Sequence, residues 1–500
     1  MMYNKFPKLL AASVFSLLAF AACTDLKVAE TDSVIAETTT GVFKGDPTAL
    51  LVSSYKDLGA FTDQANIYSL YDHTSDEMIP PTRGTDWGDN GVWRTLHQHT
   101  WDPTHAFVLN SWNQLNQRSY KCNEILVSDP SPEEAAQAKY LRAFYMYHVM
   151  DLFGQVPIRQ VADAAEVNPK VMNRSEAFDF IQKDLEEAMP LLPQVGPTGD
   201  HTKASKAAAN TLLARMYLNK AIYKAANPAG PYTFDKADMD KVIGYCDAVA
   251  AVGYDLERGD YFKIFSKSAN NEVIFVSAEG SAQNRWFMTL HYDNNPSGWN
   301  GFATLADFYA KFNDNNDQRK GRPGLKDGTA FSGLSRGFLI GQQFDDKGAV
   351  ITNSRNKQPL SFTSDVSIAG AASEKGIRVI KYHPADAGQY IVFRYADVFL
   401  MKAEAALRGG TSTKSAKDLV NELRTARGAG VLATVDAAAM IDERGRELYW
   451  EGIRRVDQVR FSTFTSTWAS KTSTDPARVL FPVPQQAMDS NPNLRQNPGY

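Results

Sequence analysis

The chain has 500 residues, long enough for one large domain or several ordinary ones, and 43% of them are hydrophobic against 22% charged. This composition is that of a folded globular protein and excludes an intrinsically disordered chain. The formal net charge is -4, from 53 basic and 57 acidic residues, so there is no electrostatic case for nucleic-acid binding.

The N-terminus has the layout of a secretory signal. An apolar run at residues 9–22 follows two lysines, is too short for a transmembrane helix, and ends directly before Cys23. Because small residues precede this cysteine, as in a bacterial lipobox, we expect residues 1–22 to be a lipoprotein signal peptide and Cys23 to be lipidated. An ordinary signal with an unmodified Cys23 is the alternative. Residues 24–45 are small and polar, and they are predicted to form a tether.

The segment AKYLRAFYMYHVMDLFGQVP, residues 138–157, has the i, i+3, i+4, i+7 spacing of a buried helical face. Gly154 can adopt the positive φ of a helix C-cap, and Pro157 prevents continuation of the helix. The pattern therefore predicts a core helix in which Phe144 and Tyr145 are interior.

Further segments repeat this period in pairs. SEAFDFIQKDLEEAMPLLP, with Ser175 as a candidate N-cap, is followed by SKAAANTLLARMYLNKAIY. RYADVFLMKAEAALRGG and KSAKDLVNELRTARGAG lie back to back, each ending at glycine. Antiparallel helix pairs of about 34 residues are typical of tetratricopeptide-like repeats, in which each pair covers the apolar face of its neighbour. We therefore predict a mostly α fold.

Three long stretches lack a helical period: residues 73–105, 281–300 and 313–376. The first is rich in Gly, Asp, Pro, Trp and His, and the other two are rich in Gly, Asn, Asp and Ser. Loops of this length are uncommon unless they are functional. We expect them to form a surface built on the helical scaffold.

Five separated blocks resemble the SusD/RagB family of bacterial outer-membrane lipoproteins. They are AKYLRAFYMYHVMDLFGQVPI, KASKAAANTLLARMYLNKA, FRYADVFLMKAEAALRGG, IDERGRELYWEGIRRVDQVR and FPVPQQAMDSNPNLRQNPGY. DERGRELYWEG and NPNLRQNPGY are especially similar to the family pattern, whereas Gly445 stands where the family often has Arg. The likeness extends from the signal to the final residue.

This resemblance implies a SusD-like fold with tetratricopeptide-like helix pairs as scaffold and long irregular loops carrying the binding surface. It divides the chain into an N-terminal region, residues 23–230, and a C-terminal region, residues 231–500. It also implies an outer-membrane, lipid-anchored protein facing the cell exterior. Such a protein captures an oligosaccharide and delivers it to a TonB-dependent, SusC-like transporter. A peptide-binding member of the family and a glycoside hydrolase lipoprotein are the alternatives.

Catalytic carboxylates are the feature that a hydrolase requires. Glu443, Glu447 and Glu451 are spaced i, i+4 along one predicted helix and are interleaved with arginines. A glycosidase needs two carboxyl groups that face each other across the substrate, about 5 to 10 Å apart. Charges on one helix pair readily with each other, so we expect a structural salt-bridge network and no enzyme activity.

Half of the eight histidines lie between residues 73 and 105. HQH in an extended strand would place His97 and His99 on the same side, as in a metal ligand pair, but no HExxH pattern accompanies them. We expect hydrogen-bonded structural histidines, no transition-metal site and no cofactor. A structural calcium ion held by loop carbonyls stays an open alternative, because the Asp- and Asn-rich loops do not have EF-hand spacing.

The ligand site is predicted from the chemistry of sugars. An aromatic ring packs against the C–H face of a sugar while amides, carboxylates and guanidinium groups bind its hydroxyls. PPTRGTDWGDNGVW and NRWFMTLHYDNNPSGWNG carry both kinds of group. In the resembled family, aromatics from an early and a middle loop form the sugar platform; Trp87 matches by position and the middle-loop aromatics by region only. The candidate ligand-binding residues are Arg83, Asp86, Trp87, Asn90, Trp286, Tyr292, Trp299, Arg378 and Tyr395. The alternative is that each Trp anchors its own loop to the scaffold.

Overall fold

A computed structural model describes residues 44–279 and 282–500. The predicted signal peptide and Cys23 lie outside the described residues and stay predictions, as does almost all of the tether. Within the described ranges, no helix combines the length and the apolar character needed to cross a membrane.

Helices dominate the described ranges. The α-helices are α1 (Pro47–Lys56), α2 (Asn66–Asp72), α3 (Val92–Gln98), α4 (Ala106–Val127), α5 (Pro132–Phe153), α6 (Arg174–Ala188), α7 (Lys206–Leu218), α8 (Lys220–Tyr223), α9 (Lys236–Ala250), α10 (Asn284–Phe287), α11 (Ala306–Ala310), α12 (Tyr395–Leu407), α13 (Ala416–Ala426), α14 (Ala437–Leu448), α15 (Arg454–Arg460) and α16 (Gln485–Ser490). Short 3-10 helices cover Asp57–Thr62, Asp89–Gly91, Tyr261–Phe265, Gln318–Lys320 and Pro476–Val479.

The strands are short and pair antiparallel in small sheets. They are β1 (Met78–Ile79), β2 (Gln155–Ile158), β3 (Lys170–Asn173), β4 (Val273–Ser277), β5 (Ala303–Thr304), β6 (Gly321–Arg322), β7 (Arg336–Leu339), β8 (Gly341–Gln342), β9 (Ser361–Phe362), β10 (Arg378–Ile380) and β11 (Tyr390–Arg394). The pairs are β1 with β5, β2 with β3, β4 with β11 and β8 with β9, while β7 lies between β10 and β6.

Neighbouring helices pack against one another in two rows. The predicted pair α12 and α13 is confirmed, whereas the predicted pair α6 and α7 is not, because α6 packs mainly against α5 and α7 mainly against α9. Helix α5 lies between α4 and α6, and a second row is formed by α7, α9, α12 and α13. Each apolar face is covered by the next helix, which is the packing rule of helical-repeat folds. The predicted division at residue 230 falls between α8 and α9, and α9 packs against α7 across it. The two-region division itself stays a prediction.

Helix α5 is the predicted aromatic helix, and it is buried on every side rather than along one stripe. Phe144 and Tyr145 are 1% and 0% exposed, which confirms their interior position. Gly154 closes the helix with φ 72°. The Tyr71 hydroxyl and Nδ1 of His148 are hydrogen-bonded at 2.8 Å, and burial lowers the pKa of His148 to about 3, so the ring stays neutral.

Helix starts follow local capping chemistry, with one correction. Ser131 and Ser415 form capping boxes at α5 and α13. The sequence predicts Ser175 as the N-cap of α6, and this prediction is wrong. The cap is Asn173, whose side chain accepts from the backbone N–H of Glu176 while the Glu176 carboxylate accepts from that of Asn173. The reciprocal pair requires the residue three positions before a glutamate, which Asn173 is and Ser175 is not.

The carboxylates of the predicted cluster are part of a buried ion-pair network. Glu443 pairs with Arg319 at 2.7 Å, and Glu447 pairs with Arg394 at 2.7 Å. Glu451 lies beyond the end of α14 and pairs with Arg394, so the three glutamates do not share one helix as predicted. The network joins α14 to β11 and to the Gln318–Lys320 turn, which confirms its structural role.

Residues 73–105 are less irregular than the sequence predicts, because α3 lies within them. The HQH segment therefore lies at the end of a helix and not in a strand. The strand geometry that would place His97 and His99 on the same side is not formed. His97 contacts the carbonyl oxygens of Met78 and Ala469 at 3.0 and 2.8 Å. His73 departs from the prediction: among the described residues, neither of its two buried ring nitrogens has a hydrogen-bond partner, and the ring packs edge-on against Phe302 with 4.1 Å between the ring centroids.

Candidate functional site

Three loops begin or end at one point of the fold. The early loop (residues 80–91) follows β1, the middle loop (residues 288–302) precedes β5, and the third loop (residues 353–377), which contains the short strand β9, precedes β10. Met78 pairs with Thr304 between β1 and β5, and the Thr304 N–H donates to Ile377 O at 2.9 Å. The scaffold therefore places loops from distant parts of the sequence side by side.

Two buried arginines brace these loops from below. Arg83 donates to the carbonyls of Ala372 at 2.6 Å and Lys375 at 2.8 Å. Arg378 donates to Asn300 Oδ1 at 2.7 Å and to the Lys375 carbonyl at 2.9 Å. Burial lowers the pKa of Arg83 to about 10 and that of Arg378 well below its usual value. Both side chains are almost fully buried, so the structure places these predicted ligand residues beneath the surface.

Trp87 is held in a strained conformation on the early loop. Its φ is 61°, in the left-handed region that a bulky residue rarely adopts. Its indole Nε1–H donates to the carbonyl of Trp299 at 2.9 Å. A Cβ at Gly301 would lie 2.7 Å from the Trp87 ring, so only glycine permits this packing. Backbone strain of this kind, about 1–3 kcal/mol, is common at ligand sites. The packing of the ring against Gly301 agrees with the alternative that Trp87 anchors its own loop. The conformation of Trp87 is therefore compatible with both roles.

Four aromatic side chains of the early loop, the end of α10 and the middle loop are together called the aromatic platform. We define it as Trp87, Phe287, Tyr292 and Trp299. The rings of Phe287 and Trp299 stack at 5.5 Å with 28° between their planes. Trp299 remains 41% exposed, the largest exposure of the four. Its outer face is thus an open apolar surface beside polar groups.

A polar unit lies at the edge of this platform. The Tyr292 O–H and Arg355 Nη2 both donate to Oδ2 of Asp86, the latter at 3.2 Å. The Arg355 guanidinium lies 4.5 Å from the centroid of the Tyr292 ring. Burial, followed by the hydrogen bond to Asp86, raises the pKa of Tyr292, so its hydroxyl stays protonated and donates. Sequence reasoning missed Arg355 and Phe287.

The remaining predicted residues divide between this site and the scaffold. Asn90 is exposed on the early loop, with φ 54°. Trp286 packs against two apolar clusters, and its buried Nε1–H has no hydrogen-bond partner within the ranges that the structure describes. Tyr395 is the first residue of α12, buried in the main core, and the structure does not bring it to the platform. Their roles toward a ligand stay predictions.

No group of three or more His, Cys, Asp or Glu side chains within residues 44–279 and 282–500 is arranged to hold a metal ion.

Two family models match this chain. A model described as "SusD family" matches residues 271–476, and one described as "Starch-binding associating with outer membrane" matches residues 55–218. The chain belongs to the SusD family. The fold described above is accordingly the SusD-like fold, in which helix pairs support irregular loops.

Curated members of the SusD family share about a quarter of their residues with this chain. The starch-binding protein SusD of Bacteroides thetaiotaomicron is 26% identical over 420 residues, which cover 73% of each chain. The SusD-like protein P25 of Formosa agariphila is 24% identical and covers 97% of this chain and 98% of its own.

Solved SusD-family structures superpose over most of the chain. A SusD superfamily protein from Parabacteroides distasonis gives a TM-score of 0.69 at 18% identity, covering 91% of this chain and 98% of its own. Surface glycan-binding protein A from Bacteroides thetaiotaomicron, solved in complex with laminarihexaose, gives a TM-score of 0.64 at 19% identity, covering 90% and 98%. At this identity the superpositions establish the fold.

Proposed function

We propose that the protein is a cell-surface glycan-binding lipoprotein that captures an oligosaccharide and delivers it to a TonB-dependent outer-membrane transporter. The observation that carries the proposal is the exposed ring of Trp299, backed by Phe287 and flanked by the Asp86–Tyr292–Arg355 unit. Stacked rings are rigid, so a ligand that covers Trp299 orders little of the protein.

Sugars match this surface chemically. The outer face of Trp299 fits the C–H face of a sugar ring, and Asp86 and Arg355 supply an acceptor and donors for its hydroxyls. The names of two similar proteins, one starch-binding and one solved with laminarihexaose, support a glycan as the ligand. The test is a glycan array followed by calorimetry. Binding of at least one oligosaccharide is expected; binding of peptides alone would favour the peptide-binding alternative.

The proposed role is binding without catalysis. Glu443 and Glu447 are both 0% exposed and neutralised by arginines, so they cannot contact a glycan on the platform. Incubating the protein with each bound oligosaccharide should leave the oligosaccharide intact. Appearance of shorter products in chromatography would support the hydrolase alternative instead.

The membrane anchor and the transporter complete the proposal. Lipidation of Cys23 would hold the protein at the outer membrane, facing the exterior. We expect a Cys23→Ala variant to leave the membrane fraction, and retention at the wild-type level would contradict lipidation. A permanent complex with the transporter would bury about 2,000 Å² or more. Purification through a tag in mild detergent should therefore recover a transporter of the TonB-dependent class, and recovery of the monomer alone would count against delivery.

We propose that glycan binding needs no cofactor. Treatment with EDTA should leave the affinity for the bound oligosaccharide unchanged. A fall in the melting temperature that added calcium reverses would instead support the structural calcium alternative, because a bound ion stabilises only the folded state.

A further inference from the structure

The polar unit on the platform joins all three loops. Asp86 belongs to the early loop, Tyr292 to the middle loop and Arg355 to the third, and the side chains of Tyr292 and Arg355 meet at Asp86 Oδ2. The unit thus exists only where the scaffold brings the loops together. Arg355 is separated from Asp86 by 269 residues.

Arg355 is held in place before any ligand arrives. The backbone N–H and the Oγ–H of Ser354 donate to Asp293 Oδ2 at 2.8 and 3.0 Å, which ties the third loop to the middle loop. The N–H of Arg355 donates to Asn353 Oδ1 at 3.0 Å. Its guanidinium is fixed by Asp86 and lies over the Tyr292 ring. A ligand that bonds Arg355 therefore pays little of the usual entropy cost of ordering a long side chain.

Three polar atoms of the unit are available to bind another molecule. In the part of the chain that the structure describes, Arg355 Nε and Nη1 and Asp86 Oδ1 have no hydrogen-bond partner. The Arg355 side chain is 51% exposed and that of Asp86 is 38% exposed. Donors and an acceptor are thus presented side by side. Hydroxyl groups both donate and accept, so two neighbouring hydroxyls complement this arrangement.

We propose that Arg355 and Asp86 bind a pair of neighbouring hydroxyls on a neutral sugar ring, and that Arg355 determines the specificity of the platform. This inference rests on the proposed glycan-binding function. The positive charge of Arg355 is already matched by Asp86 at 3.2 Å. A sulfate or carboxylate on the sugar would compete with Asp86 for the guanidinium and meet its negative charge, whereas a hydroxyl does neither.

The first experiment compares wild type with Arg355→Ala and Arg355→Lys. The probes are neutral oligosaccharides, including laminarihexaose and maltohexaose, together with sulfated and uronic-acid oligosaccharides. Wild type should bind a neutral probe with a Kd that is unchanged by added salt, since the ligand carries no charge to be screened. Arg355→Ala should weaken binding tenfold or more. Arg355→Lys should restore it only in part, because an ammonium lacks the planar fork.

A matched control is Arg258→Ala. The Arg258 side chain is 52% exposed and pairs with Asp255 and Glu422, away from the three loops. This variant should bind like wild type. The melting temperature of each variant checks folding. Loss of binding in the Arg258 variant equal to that in the Arg355 variant would contradict a specific role for Arg355.

Monodeoxy derivatives of the neutral probe, each lacking one hydroxyl, test whether Arg355 contacts the sugar directly or only positions Tyr292. Wild type should bind at least one derivative more weakly than the parent, and Arg355→Ala should bind that derivative and the parent equally. The inference is overturned if Arg355→Ala shows the same loss of affinity as wild type for every monodeoxy derivative. It is also overturned if Arg355→Ala binds the parent probe as tightly as wild type does, or if wild type binds acidic glycans only. If wild type binds no glycan at all, the proposed function fails together with the inference. If wild type binds a glycan and Arg355→Ala binds it equally well, the inference alone fails.

Discussion

Replacing Trp299 by alanine removes the most exposed ring of the aromatic platform. Trp299 is 41% exposed, and a tryptophan offers up to about 250 Å², so roughly 100 Å² is open to a ligand. At about 25 cal/mol per Å² this area is worth roughly 2.5 kcal/mol when fully covered. A sugar covers one face and leaves the ring edges in water, so we expect about half of this, or a tenfold rise in Kd.

The Trp299→Ala variant should fold normally. The Nε1–H of Trp87 donates to the backbone carbonyl of Trp299, which alanine retains. The variant loses the stack on Phe287, an interaction worth about 0.5–1.5 kcal/mol. Trp299→Phe keeps a ring and should lose much less affinity.

Calorimetry with the tightest-binding oligosaccharide measures the Kd, and thermal unfolding measures stability. Tyr120→Ala is the control, since Tyr120 is a partly exposed aromatic in a separate cavity with Asn116 and Pro157. Unchanged affinity in a folded Trp299→Ala protein would refute the platform. An equal loss of affinity in the Tyr120 variant would refute its location.

Three further predictions concern the scaffold. Phe144→Ala should lower the free energy of unfolding by about 3–5 kcal/mol in denaturant titrations, because a fully buried ring leaves a cavity; a near-neutral result would contradict the interior packing. Burial alone would raise the pKa of Glu443, but Arg319, Arg446 and Arg424 lower it to about 2. Its stabilising effect, about 3 kcal/mol, is therefore present above the unfolded pKa of about 4.3 and is lost as the pH falls towards 2; stability measured from pH 7 to 3 should fall in that window, and a flat profile would refute the pairing. Burial and then the Asp72 carboxylate raise the pKa of Glu77 well above its ordinary value, so the unfolded chain loses this proton at a lower pH than the folded protein does, and Glu77→Gln, which cannot ionise, should raise the unfolding free energy at pH 7 above that of wild type. The stabilising contribution of the raised pKa is fully present below the unfolded value and is lost as the pH rises through the folded one, so Glu77→Gln should remove that loss; a variant that is less stable than wild type at pH 7 in denaturant titrations would contradict the raised pKa.

Much of the scaffold follows from signals within one or two helical turns. Gly154 ends α5 because its positive φ is locally favourable, and glycine is visible in the sequence. The interior position of Phe144 and Tyr145 follows from their spacing on the same helix. The local rule fails for Ser175, where Asn173 and Glu176 cap each other instead.

The composition of the site was also visible, but not the orientation of its residues. Asp86, Trp87, Tyr292 and Trp299 come from loops whose mixture of rings and polar groups suits a sugar. Arg83 has the same chemical type as a ligand-binding residue, yet it is buried because its N–H groups satisfy loop carbonyls. No local pattern distinguishes an arginine that faces solvent from one that braces a loop.

The sequence by itself determined the helical period, the helix ends and the supply of aromatic and polar side chains, since each depends on residues a few positions apart. Only the tertiary structure decided which of them meet. Tyr292 and Arg355 reach Asp86 across 206 and 269 residues, respectively. Such contacts depend on how the helix pairs stack and on the position of the three loops beside β1, β5 and β10. The specificity of the platform is therefore a property of the fold.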